Sequence, residues 1–260
     1  GPFQYWDIVG LEAGIKAIEE LGKQVPAWVI EMKNNGFETF YTTIDSKPAY
    51  YNINTQKYES VPGFESIVRL DYLTKEKIVY QNDETKLYDI GDDVLCLEFT
   101  SKMNAIGAGI LNGLQDAVRI AEEGKWRGLV IGNHSKNFTV GANIMLIAML
   151  AYEQEFDELN RAVDLFQQTT MRCRYSKVPV VAATQGYVFG GGCELIMHCD
   201  ATAVGAESYI GLVEVGVGLI PGGGGTKEFA VRTSDSFTEG DVQIPALIEN
   251  FKTIATATVA

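Results

Sequence analysis

Three glycines, Gly190, Gly191 and Gly192, stand directly before Cys193 and Glu194 in the stretch YVFGGGCELIMHCD. A tight turn that feeds a helix leaves backbone N–H groups without acceptors at the positive end of the helix dipole, and such donors suit an oxygen that becomes negative during a reaction. The spacing puts Glu194 on the first turn of that helix. For three glycines alone, a plain close-packed turn is the more common explanation. Twenty residues further on, Glu214 interrupts the apolar run LVEVGV. A surface acid is one reading of it; the other is a partnered or functional group, because an isolated charge among apolar neighbours costs several kcal/mol.

Other uses of glycine fail on spacing. PGGGGTK lacks the Gly-Lys-Ser/Thr order of a triphosphate loop, since Thr226 precedes Lys227. GVGLIPG has Pro221 where the third glycine of a dinucleotide fingerprint belongs. The four cysteines, Cys96, Cys173, Cys193 and Cys199, show no metal spacing, and His198 and His134 are the only histidines. Buried free thiols, a core or helix-face His198 and no metal site are the expectations. A formal charge of -13 over 260 residues argues against a nucleic-acid surface. No apolar stretch is long enough to span a bilayer, so a soluble, cytoplasmic protein is expected.

The elements that position these residues follow from periodicity. Leu11, Ile15, Ile18 and Leu21 predict one short helix, and VPAWVIEMKNNG, from Pro26 to Gly36, predicts another. From Phe37 to Asp93 the segments FYTTID, AYYNIN, SIVRLDYL, KIVYQN and KLYDIG predict a β meander. From 94 onward buried strands alternate with helices, predicting an α/β domain: VLCLEFT, a helix with Asn104 as N-cap and Gly124 as stop, GLVIGN, a long helix from about Ile144 to Tyr175, VPVVAATQG and ATAVGA. Three regions result: 1–36 helical, 37–93 β-rich and connecting, 94–260 α/β.

KMNAI before a helix, NFTVGANI after a strand, GYVFGGGCELIMHCD and YIGLVEVGVGLIPGGGGT, in this order and over residues 94 to 230, resemble the crotonase, or enoyl-CoA hydratase/isomerase, family. The resemblance implies a spiral of ββα units with two near-perpendicular sheets and a coenzyme A thioester as substrate. It assigns an oxyanion hole to the peptide N–H groups of Ala142 and Gly191, and a water held between Glu194 and Glu214. Its substrate-binding positions fall on Lys102, Asn104, Ala105, Gly141 and Gly190. Hydration of a 2-enoyl thioester requires an activated water, a proton for the α carbon and support for an enolate-like charge, which two neighbouring carboxyl groups and two amides can supply. Lys102 is the candidate contact for the coenzyme's phosphates, although an exposed lysine is more often simply solvated.

Asn143 stands where the family has an aspartate, which spares the backbone donor. About 35 residues follow the PGGGGT region, fewer than the covering helices of the family require, so a C-terminally truncated domain is expected. GPFQYWDIVGLEAGIKAIEELG resembles part of the C-terminal helical domain of 3-hydroxyacyl-CoA dehydrogenases, which implies a multifunctional β-oxidation parent. No cofactor is expected in this chain, NAD belonging to an absent dehydrogenase part. The resemblance also implies a homo-oligomer, a trimer in the family. The alternatives are a 3,2-enoyl-CoA isomerase, which needs chiefly one base, and a non-catalytic fragment.

Overall fold

The computed structural model describes residues 1–64 and 66–260, so Glu65, within the expected β-rich segment, lies outside the described residues. The chain divides into two units, Gly1–Lys75 and Glu76–Ala260.

The first unit opens with α1 (Pro2–Val9), α2 (Leu11–Glu20) and α3 (Ala27–Asn34). Gly10, at φ 95°, breaks what would otherwise be one helix into α1 and α2. Leu11 and Ile15 of the predicted stripe are buried together with Val29 and Met32, whereas Leu21 lies beyond the helix end and is exposed. Three antiparallel strands follow, β1 (Tyr41–Ile44), β2 (Lys47–Asn52) and β3 (Lys57–Ser60), in the order β1-β2-β3. Phe40 joins the helices to this sheet through ring contacts with Phe3, Trp6 and Trp28. SIVRLDYL is not a strand. Leu70–Tyr72 forms a 3-10 turn in which Arg69 pairs with Asp71 at 2.6 Å and lies over the Tyr72 ring, while the β-branched Ile67 and Val68 before it are exposed.

The second unit is built on a six-stranded sheet whose strands lie in the spatial order 201–204, 180–184, 128–132, 94–99, 85–89 and 78–81. Its first strands are β4 (Ile78–Gln81), β5 (Thr85–Asp89) and β6 (Val94–Phe99). Because β4 and β5 hydrogen-bond into this sheet, the unit starts at 76, not at the change of composition near 93. The helix α4 (Ala108–Glu123) crosses to β7 (Gly128–Gly132), parallel to β6. Ile110, Leu114, Ala117, Val118 and Ala121 form the buried stripe of α4 and pack on Leu95, Leu97, Leu129 and Ile131 of the sheet. Gly124 ends α4 as expected, but Gly107, not Asn104, is its N-cap. Met103 and Asn104 are left-handed, at φ 59° and 53°, and the Asn104 side chain is used elsewhere.

The long helix expected over 144–175 is two helices, α5 (Ile144–Tyr152) and α6 (Phe156–Arg174). The chain turns between them at Gln154, with φ 62°. Asn143 caps α5, its side-chain oxygen accepting from Leu146 N–H at 3.2 Å. After α6 come β8 (Val180–Thr184), β9 (Tyr187–Phe189), α7 (Gly191–Met197), β10 (Ala201–Val204), β11 (Tyr209–Gly211), α8 (Gly225–Asp235) and α9 (Ile244–Ala255). A separate parallel pair, β9 with β11, carries the glycine turn at its C-terminal end. Among the described residues no helix is long and apolar enough to cross a membrane.

Candidate active site

Four segments run side by side and end at the same place. Ile106 bridges Ala142 in parallel, Thr139 bridges Val188 of β9 in parallel, and β9 pairs with β11. Ala142, the glycines after β9 and Glu214 after β11 therefore emerge together at the C-terminal ends of strands, where α/β proteins place their ligands.

In a parallel bridge the flanking residues make the hydrogen bonds. Here Gly141 C=O accepts from Ile106 N–H at 2.8 Å and Asn143 N–H donates to Ile106 C=O at 3.4 Å. The Ala142 N–H is thereby turned to the opposite side. Gly190 N–H donates to Gly211 C=O at 2.9 Å, while Gly191 begins α7 and has no intrahelical acceptor. The two amides are neighbours: a Cβ on Gly191 would lie 3.7 Å from Ala142 N, and one on Gly141 would lie 3.5 Å from Gly191 N. Each glycine of the turn is required. Gly190 has φ 52°, and a Cβ there would stand 2.9 Å from Glu214 Oε1; on Gly192 it would meet Thr139 Cγ2 at 2.2 Å. The tight turn and the donor pair are therefore one structure, not competing explanations of the three glycines.

Glu194, on the first turn of α7, is 2% exposed. Its carboxyl accepts from Gly225 N–H at 2.8 Å, with Gly223 and Gly224 supplying further backbone bonds. Burial, and then the Glu214 carboxylate, push its pKa up to about 7 against the pull of these amides. Glu214 lies in a 3-10 turn over Glu214–Val217, and burial raises its pKa as well. Its Oε2 is buried with no hydrogen-bond partner among the described residues. A buried acceptor without a partner, beside a carboxyl that holds a proton near neutrality, is a site prepared for a polar guest.

The expected site residues separate into two groups. Glu194, Glu214, Gly190, Gly191, Gly141 and Ala142 converge. Lys102, Asn104 and Ala105 occupy the adjoining turn that leads into Ile106. Lys102 is exposed there, and Ala105 C=O accepts from Ser101 Oγ at 2.9 Å. The Asn104 side chain faces inward, donating to Asn137 and Phe138 carbonyls at 3.1 and 3.2 Å, so it braces the loop that leads to Ala142 and its amide N–H groups are not available to a ligand. Periodicity missed the loop that holds Glu194. PGGGGT fails as a phosphate motif and belongs to the last stretch of the family resemblance, but nothing in its residue order announces that its glycines bring backbone amides to the buried Glu194 carboxyl group. All four cysteines are free thiols, with Cys96, Cys173 and Cys193 buried.

This architecture and site define a crotonase-type α/β protein. The enoyl-CoA hydratase/isomerase family model matches residues 91–244, and the chain belongs to that family. An enoyl-CoA hydratase structure from Bacillus anthracis superposes with a TM-score of 0.55 at 24% identity, covering 68% of this chain and 64% of that one. A Bacillus subtilis protein described as a 3-hydroxyacyl-CoA dehydrogenase is 40% identical over 261 residues, which is 100% of this chain and 32% of that protein. A Rickettsia felis protein described as a fatty acid oxidation complex trifunctional enzyme is 34% identical over 204 residues, 78% of this chain and 27% of that protein. The chain thus spans about a third of the length of these curated relatives or less.

Proposed function

We propose that this chain is the enoyl-CoA hydratase domain of a multifunctional fatty-acid β-oxidation enzyme, adding water to a 2-enoyl-CoA to give a 3-hydroxyacyl-CoA. The observation that carries the reading is the pairing of Glu194, pKa about 7, with the unpartnered buried oxygen of Glu214. Of this pair, Glu194 can hold a proton near neutral pH, its pKa raised by burial and by the Glu214 charge. The ionised member takes a proton from water as its oxygen bonds to C3; the protonated member delivers a proton to C2. Between these events negative charge moves to the thioester oxygen, where the Ala142 and Gly191 amides donate to it. An isomerase needs chiefly one base, so the second carboxyl group, with its buried Oε2, favours hydration.

The coenzyme A portion meets a protein of formal charge -13, so a local cation must hold its phosphates. Exposed Lys102, in the turn that leads into Ile106 beside the Ala142 loop, supports that role. The match to the Bacillus protein supports a parent that also carries 3-hydroxyacyl-CoA dehydrogenase activity, with NAD bound outside this chain. Four free thiols support a reducing, cytoplasmic location. Exposed Ile244, Ile248 and Phe251 on α9 support self-association, for which the family resemblance implies a trimer.

Crotonyl-CoA hydration, followed by loss of the conjugated thioester absorbance, tests the reading. Glu194→Gln and Glu214→Gln should each lower kcat about 1,000-fold with the circular dichroism spectrum unchanged. Turnover equal to the parent in either variant removes the two-acid mechanism.

A further inference from the structure

Behind Glu194 lies a buried polar cluster that the hydration chemistry does not use. His198, at the end of α7, is 1% exposed, and Glu228, on α8, is 0% exposed. His198 Nδ1–H donates to the Glu194 backbone carbonyl at 2.7 Å, and its Nε2 accepts from Lys227 Nζ at 3.0 Å. Lys227 also donates to Glu228 Oε1 at 2.6 Å, and Arg174 of α6 donates to Glu228 Oε2 at 2.6 Å, with Arg232 Nε at 3.5 Å. The imidazole abuts the glycine loop: a Cβ on Gly224 would stand 3.0 Å from His198 Cε1. Thr170 of α6 ties the same loop by donating to Gly223 C=O at 3.0 Å.

We propose that His198 is a positioning residue for Glu194, fixing at once the carbonyl of that residue and the Gly223–Gly225 loop whose amides hold its carboxyl group. The assignment rests on the hydratase reading only for its catalytic consequence. Burial keeps the imidazole neutral at physiological pH by lowering its pKa, Lys227 and Arg174 acting in the same direction and the Glu194 carbonyl and Glu228 against it. A neutral ring can donate at Nδ1 and accept at Nε2, the two bonds observed. The groups facing the Glu194 carboxyl itself are Glu214 and the amides of Gly223, Gly224 and Gly225, with the Cys193 thiol beside them. A ring that shifts releases the loop, and the amides that favour the Glu194 carboxylate go with it.

The test is His198→Phe in the 260-residue chain, which retains a ring and loses both hydrogen bonds. The readout is the Glu194 titration by 13C NMR of carboxyl-labelled glutamate, assigned by its disappearance in Glu194→Gln. The Glu194 midpoint should move upward by about one pH unit. The kcat for crotonyl-CoA should fall about tenfold with KM within about twofold, and the alkaline limb of the pH profile should move with the NMR midpoint. His198→Gln, whose amide can still donate, should restore most of both. An unchanged Glu194 midpoint in folded His198→Phe overturns the proposal and leaves the ring a packing element. If that variant does not fold, Lys227→Met, which removes the donor to Nε2 from a partly exposed position, should move the midpoint in the same direction, and no movement overturns the proposal. Absence of hydration in the parent chain refutes the hydratase reading separately, because the NMR titration decides the role of His198 without turnover.

Discussion

The raised pKa of Glu194 has a stability consequence whose sign is fixed. The folded protein holds the Glu194 proton up to about pH 7, while the unfolded chain releases it at its ordinary 4.5. Between these values the folded state binds more protons than the unfolded, so stability from this group is fully present below 4.5 and is lost as pH climbs towards 7. At about 1.4 kcal/mol for each pH unit the loss totals about 3 kcal/mol. Glu194→Gln removes that slope, because an amide does not ionise, and its carbonyl oxygen can still accept from Gly225 N–H. Equilibrium urea unfolding of parent and variant across the range from about pH 4.5 to about pH 8 isolates the group, since other titrations cancel in the difference. The variant should gain about 3 kcal/mol relative to the parent over that range, with nearly all of the gain acquired below neutrality. Parallel stability profiles would refute the argument that burial and the Glu214 charge keep Glu194 protonated.

Glu214→Gln should lower the Glu194 midpoint by removing a neighbouring negative charge, yet leave it above 4.5 because burial is the larger cause; a midpoint unchanged by NMR would show that the two carboxyl groups do not interact. Gly192→Ala should cost about 2 kcal/mol and most of the hydration, because its methyl would stand 2.2 Å from Thr139 Cγ2, and adding Thr139→Ser, which deletes that methyl, should recover both in unfolding and activity assays. Lys102→Glu should raise KM for an acyl-CoA several-fold with kcat unchanged, the effect shrinking at high salt.

The helices and strands that carry the site were legible because their apolar residues keep strict periods: Ile110, Leu114 and Val118 on α4, and the continuous runs of β6, β7 and β8. Elements governed by local polar pairing were not. SIVRLDYL has β-forming side chains but no neighbouring strand, and the turn at Gln154 carries neither glycine nor proline to announce it. Asn104 looked like a cap because asparagine before an apolar stripe usually is one; its amide instead satisfies two carbonyls of a loop 33 residues away in sequence. The acid pair and the role of the glycine turn are implied only by the family resemblance of four ordered motifs; taken singly, Glu214 reads as a surface acid and the three glycines as a plain turn. The Gly223–Gly225 cradle, the unpartnered Glu214 oxygen and the His198–Glu228 cluster could not be read from residue type and order, since each depends on long-range packing of α6, α7 and α8.

In the proposed hydration the donors to the thioester oxygen would belong to the peptide chain at Ala142 and Gly191, not to any side chain. Replacing Ala142 by serine or cysteine would leave its amide in place, whereas proline would delete it. At Gly191 the restriction comes from bulk, since a Cβ would meet the Phe166 ring at 2.7 Å. Substitution at Ala142 can therefore restyle the wall beside the thioester while sparing its donor, whereas at Gly191 the donor stays in place only as long as no side chain is added.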